Sequence, residues 1–268
     1  MFTQKEINEA WALAHEKGIK YFGSVGSNAK TSKSDAKTNY LTHIMYLAPS
    51  TQSGKYNVCP MASKGCAEAC LFTAGHGAME NVKQARIKRT LFFFEHRPQF
   101  QACIYDELSK FRNKCKKEDR KPAVRLNGTS DIVWERIWPQ LFEEFKDIQF
   151  YDYSKIYTRF LKNWKLPDNY YLTFSRSESN DKYVDLVMEE NKQANIAVVF
   201  DKLPDKWRGR KVINGDDMDL RVLDPKGIIV GLTQKGEAKK DETGFVVRAD
   251  NDYFVPLKIT KGRALVSA

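Results

Sequence analysis

The chain has 268 residues, enough for one large domain with a full core, and its 42% hydrophobic and 29% charged residues match an ordinary globular protein. No run of about 18 apolar residues occurs, which excludes a membrane-spanning helix, and the opening MFTQKEINEA lacks the apolar centre of a secretion signal. A cytoplasmic protein without a membrane partner is therefore expected, and its 44 basic against 34 acidic residues (formal charge +10) suit a polyanionic partner such as nucleic acid or a nucleotide.

Thr3 and Glu6 form a capping-box pattern, and Ile7, Ala10, Trp11 and Ala14 repeat at helical spacing as far as Gly18. Residues 23–39, GSVGSNAKTSKSDAKTN, read as a mobile basic loop. They do not make a phosphate-binding loop, because Asn28 and Ala29 stand where that motif needs glycine and lysine. Residues 41–48 are the first strong strand.

Directly after that strand comes VCPMASKGCAEAC, with Cys59, Cys66 and Cys70 in the spacing C-x6-C-x3-C. The chain has five cysteines, an odd number, and no signal peptide is expected. In a reducing compartment, clustered cysteines hold metal more often than they form disulfides. A helical region over 79–117 follows, divided at Pro98. Phe100, Ile104, Leu108, Phe111 and Cys115 repeat at helical spacing within it, so Cys115 and the neighbouring Cys103 read as packing thiols.

From residue 123 strands alternate with helices, as in an α/β protein with a parallel sheet or barrel. Short apolar strands are expected at 123–126, 148–151, 170–174, 196–200 and 212–213. Each is followed by polar residues: Asn127 with Thr129 and Asp131, Asp152 with Ser154 and Lys155, Ser175 with Arg176, Asp201, and Asn214. Ligand sites of parallel α/β folds lie at that edge, and the cysteine loop also follows a strand. Residues 220–223 and 227–232 read as further strands, and 245–248 with 253–255 as a terminal hairpin. The expected division is an N-terminal helix and basic loop (1–40), a βα-barrel-like domain with the cysteine loop (41–218), and a β-rich extension (219–268).

Three thiolates without a nearby fourth cysteine fit a [4Fe–4S] cluster with one iron left open. The alternative metal is zinc in a Cys3His set completed by His76.

Strand, three-cysteine loop, helix and repeating βα units together resemble the radical S-adenosylmethionine enzymes. CPMASKGCAEACLFTAGHG, VRLNGTSDI and FYDYSK are more closely similar to an uncharacterised phage family catalogued as gene product eighty-eight. The first resemblance implies a partial βα-barrel whose cluster is held by Cys59, Cys66 and Cys70. It places Asn127, Gly128 and Thr129 near the methionine amino group, Ser175 and Arg176 at its carboxylate or ribose, and Asp152 and Lys155 toward substrate as catalytic candidates. The expected function is that of a phage-encoded iron–sulfur protein, and any radical-type enzyme activity would act on a nucleotide or nucleic acid. The competing reading is a non-catalytic nucleic-acid-binding protein carrying zinc or a cluster. For the 127–131 loop the plainer alternative is a cap for the next helix, and for Arg176 an exposed pair with Glu178.

Overall fold

The computed structural model describes residues 2–26, 29–70 and 75–248, with Ala29, Lys30, Gly75 and His76 by backbone only. Its centre is an open nine-stranded sheet, with strands at Gly23–Val25 (β1), Tyr40–Met45 (β2), Lys121–Arg125 (β3), Gln149–Ser154 (β4), Tyr170–Ser175 (β5), Ile196–Phe200 (β6), Lys206–Trp207 (β7), Arg210–Asn214 (β8) and Ile229–Thr233 (β9). The order is β1-β2-β3-β4-β5-β6-β9-β8-β7, parallel except where β1 meets β2 and where β7 meets β8. The chain is thus α/β with a mainly parallel sheet, as expected, and the sheet ends openly at β1 and β7.

Eight α-helices are described: Gln4–Glu16 (α1), Ala29–Lys37 (α2), Lys64–Glu68 (α3), Glu80–Glu95 (α4), Arg97–Lys117 (α5), Trp134–Ile137 (α6), Pro139–Glu144 (α7) and Val184–Glu190 (α8). The Thr3 hydroxyl accepts from Glu6 N at 3.3 Å while Thr3 N donates to the Glu6 carboxylate at 2.7 Å, which closes the capping box of α1. Ile7, Ala10 and Ala14 of that helix are buried, and the Trp11 indole donates to Asp106 of α5 at 2.7 Å. Pro98 lies in the first turn of α5, where a missing N–H costs nothing. Phe100, Cys103, Ile104, Leu108, Phe111 and Cys115 bury its inner stripe as the periodicity predicted. Pro139 opens α7 and separates it from α6, with Trp138 outside helical backbone before it.

Alternation sends two sets of side chains to opposite faces. Leu41, Met45, Val124, Phe150, Leu172, Phe174, Ile196, Val198, Phe200 and Ile229 join the main core with α1 and α5. Tyr40, Ala123, Tyr151 and Tyr171 face the other way, against Met218, Leu220 and Val222.

Several expectations are corrected here. Residues 23–39 are not a loop: β1 pairs with β2, and Thr42 of β2 donates to Asp35 of α2 at 2.9 Å. Residues 220–223 are not a strand but contain a single 3-10 turn, Arg221–Leu223. Their apolar alternation buries Leu220 and half-buries Val222 under the sheet, while Asp219 takes Arg125 at 2.9 Å and Arg221 takes Asp224 at 3.2 Å. Of the expected terminal hairpin, Val247 makes one parallel bridge to Phe200, and 253–255 lie outside the described residues. β9 enters between β6 and β8, so the sheet draws strands from the 1–40, 41–218 and 219–268 segments alike. Asp152, Tyr153 and Ser154 extend β4 instead of following it, because both faces of the sheet are covered there.

Candidate functional site at the carboxyl edge of the sheet

The cysteine loop leaves β2 at the carboxyl edge of the parallel strands and crosses the ends of β3 and β5. Asp131 N donates to Val58 O at 2.8 Å, and the Cys59 thiol donates to Thr129 O at 3.5 Å. These contacts tie the first cysteine to the loop after β3. Cys59 is half-buried, and burial pushes its thiol up to about 12, with Asp131, Cys70 and Cys66 adding to the shift through space. The other two cysteines are therefore within electrostatic reach of the first. Such a buried thiol ionises when a cation stands beside it, since a coordinating metal deprotonates a thiol outright.

Cys66 and Cys70 lie within and just beyond the short helix α3, and both are half-buried. Ser63 caps this helix, its hydroxyl accepting from Cys66 N at 3.2 Å. Cys66 packs beside Ala238, Phe245 and Val246. Arg86, buried on α4, stacks over Tyr46 at 4.7 Å, and its charge and that of Cys70 influence each other. Among the described residues, no three His, Cys, Asp or Glu side chains are drawn tightly enough together to enclose a metal ion. The side chain of His76 lies outside the described residues.

The loop after β3 is built from the inside. The Asn127 side-chain oxygen accepts from Ser130 Oγ at 2.8 Å, Ile132 N at 3.1 Å and Trp134 Nε1 at 3.0 Å, and its amide donates to Ile132 O at 2.9 Å. This side chain organises the approach to α6 through four hydrogen bonds. Gly128 donates to Met45 O, and a Cβ there would come within 2.5 Å of that oxygen and 2.7 Å of the Tyr46 ring. Only glycine lets the loops after β2 and β3 touch. Thr129 donates to Leu47 O at 2.5 Å, a further tie between the same two loops.

Asp131 and Asp152 are structural acids in this geometry. Asp131 accepts from Ser154 Oγ at 2.7 Å and Lys155 N at 2.8 Å, with Arg159 at 3.5 Å, and burial raises its carboxyl. Asp152 is fully buried on the core side of β4, where it accepts from Asn127 N at 2.9 Å and the Tyr170 hydroxyl at 3.0 Å. Burial lifts it to about 7 against the opposing pull of Arg125. Its expected place facing substrate beyond the strand is not where the chain puts it.

Lys155 and Ser175 do meet. The lysine ammonium donates to Ser175 Oγ at 2.8 Å and lies 5.8 Å from the Phe245 ring. Both are only half-buried, at the ends of β4 and β5. Arg176 was expected to meet a ligand carboxylate, and the carboxylate it meets is Asp181, at 2.8 Å. Its remaining reach goes to the carbonyls of Gly244 and Phe245, at 2.5 and 2.8 Å.

The residue that sequence reasoning missed is Glu178. It does not pair with Arg176 as the plain reading supposed. Its two oxygens accept from Ser63 Oγ and Gly65 N, each at 2.7 Å, so it grips the start of the cysteine helix. No local pattern could reveal a contact spanning 113 residues.

The family model described as Gene product 88 matches residues 21–249. No curated protein and no solved structure matches the chain.

Proposed function

The chain belongs to the Gene product 88 family, and from that premise we propose that it is an iron–sulfur protein holding a [4Fe–4S] cluster through Cys59, Cys66 and Cys70. The observation that carries this reading is the placing of all three half-buried thiols on the loop beyond β2, at the carboxyl edge of the parallel sheet. Thiolates are the usual ligands of such clusters, and three leave one iron open. The donor type supports it: a cation beside the half-buried Cys59 thiol would favour its thiolate, and Arg86 offers positive charge near Cys70.

The finer reading is a radical S-adenosylmethionine-like enzyme acting on a nucleotide or nucleic acid. Its support is topological: β2, β3, β4, β5, β6 and β9 are parallel neighbours in chain order, the order of a six-stranded βα half-barrel. When bound, a reduced cluster with an open iron supplies one electron for cleavage of S-adenosylmethionine. The chain's contribution would be the loop of Asn127, Gly128 and Thr129 as a rigid wall. Ser175 with Lys155 would supply the polar pair nearest the ends of β4 and β5, and Arg176 would brace the wall opposite. The family's description supports a phage origin, and clustered free cysteines suit a reducing, cytoplasmic compartment. Among the described residues no helix is long and apolar enough to cross a membrane.

Anaerobic purification followed by iron, sulfide and zinc analysis tests the cluster. Iron and sulfide in near-equal amounts with a brown colour are expected, and a colourless protein with one zinc would replace this reading by the zinc alternative. S-adenosylmethionine should then alter the EPR spectrum of the reduced protein. An unchanged spectrum would leave the cluster and remove the enzyme reading in favour of nucleic-acid binding.

A further inference from the structure

Glu178 sits on the loop after β5, far in sequence from the cysteines, yet it is built into their helix. Its carboxylate accepts at 2.7 Å from both Ser63 Oγ and Gly65 N, and Ser63 Oγ in turn accepts from Cys66 N. A relay of hydrogen bonds therefore runs from Glu178 through Ser63 to the backbone of the second cysteine. The site leaves no slack: a Cβ on Gly65 would meet Thr243 Oγ1 at 2.1 Å and Phe245 Cβ at 2.6 Å. Phe245 is held in turn by Arg176, which donates to its carbonyl at 2.8 Å and to that of Gly244. Arg176 is fixed by Asp181, which also takes Arg208 at 2.7 Å.

We propose that Glu178 is the positioning residue of the cysteine loop: it sets where Cys66 stands relative to Cys59, and Arg176 holds the covering segment that keeps it there. This deepens the cluster reading and rests on it for its purpose, although the positioning itself is a property of the polypeptide. Five residues make a helix too short to stand alone in water, so its place depends on such tertiary bonds. A bidentate carboxylate is a strong choice, because hydrogen bonds to a charged acceptor exceed those to a neutral one. Glutamine can keep most of this geometry. Its oxygen accepts from Gly65 N, and the Ser63 hydroxyl can turn to receive its amide.

The test compares the full chain with Glu178→Ala and Glu178→Gln by two independent readouts. The first is iron and sulfide per chain after anaerobic purification. The second is the alkylation rate of each cysteine in the reduced, chelator-treated protein, resolved by peptide mass spectrometry. Glu178→Ala should raise the Cys66 rate by about tenfold, the size expected for losing a charge-assisted hydrogen bond, and should lower cluster content. Cys103 should stay inert in every variant, which reports an intact core. Glu178→Gln, which keeps both contacts without their charge, should give values between those of the wild type and Glu178→Ala. An unchanged Cys66 rate in Glu178→Ala overturns the inference, and so does a Glu178→Gln protein no better than the alanine variant, since the hydrogen-bonded contacts to Ser63 and Gly65 would then position nothing. A wild-type chain without iron defeats the cluster reading but leaves the alkylation result to decide the positioning.

Discussion

Cys59 and Cys115 are both thiols pushed upward by burial, to about 12 and about 11, yet their surroundings differ in kind. Cys115 lies at 0% exposure on the packed stripe of α5, among apolar neighbours. Cys59 is half-open and feels two further cysteines and Asp131. Cys115→Ala should accordingly leave metal content unchanged, as metal analysis would establish. Asp152 makes a separate prediction at this scale. Its carboxyl rises from 3.8 to about 7 in the fold, so between those values the native chain holds a proton that the unfolded chain has lost. Stability contributed by the protonated group is complete below about pH 4, falls as pH rises, and levels off above about 7. Asp152→Asn should remove that decline. Urea midpoints measured from pH 4 to 8 should show the wild type losing ground against the variant as pH rises to about 7. A constant difference would mean that Asp152 is ionised throughout.

At the scale of elements, the parallel strands and long helices were legible because their signals are local. The α5 stripe and the capping box of α1 follow from spacing alone. The 23–39 segment was not, since α2 has few apolar side chains and its place comes from pairs such as Thr42 with Asp35. The 220–223 segment carried strand-like alternation that its burial under the sheet uses differently. Within the candidate site, the places of the cysteine loop, Lys155 and Ser175 after their strands could be read from sequence, but the contact between Lys155 and Ser175 could not. The commitment of Asn127 and Arg176 to the fold, and the grip of Glu178, arise from contacts between distant loops. Gly128→Ala tests the tightest of these approaches. The added methyl group would collide with Met45 O and the Tyr46 ring, so a loss of about 1–3 kcal/mol is expected in denaturant unfolding. A loss below a few tenths would mean that the two loops can part freely.

At the scale of the molecule, one sheet edge gathers the cysteine loop, the Asn127–Thr129 wall and the ends of β4 and β5. The opposite face of the sheet is filled by the chain itself, through Leu220, Asp219 and Arg221. The chain as a whole carries a formal net charge of +10. If the partner is a nucleic acid, its affinity should fall linearly on logarithmic axes as salt is raised, in a titration with a single-stranded oligonucleotide. Affinity independent of salt would contradict a polyanionic partner.

The most direct measurement is iron and acid-labile sulfide per chain in anaerobically purified wild type, Cys59→Ala, Cys66→Ala and Cys70→Ala. The wild type should carry iron and sulfide in equal amounts, about four of each when fully loaded with a [4Fe–4S] cluster, and each variant should lose them. Iron-free wild type, or variants that keep their iron, would contradict a cluster held by these three cysteines.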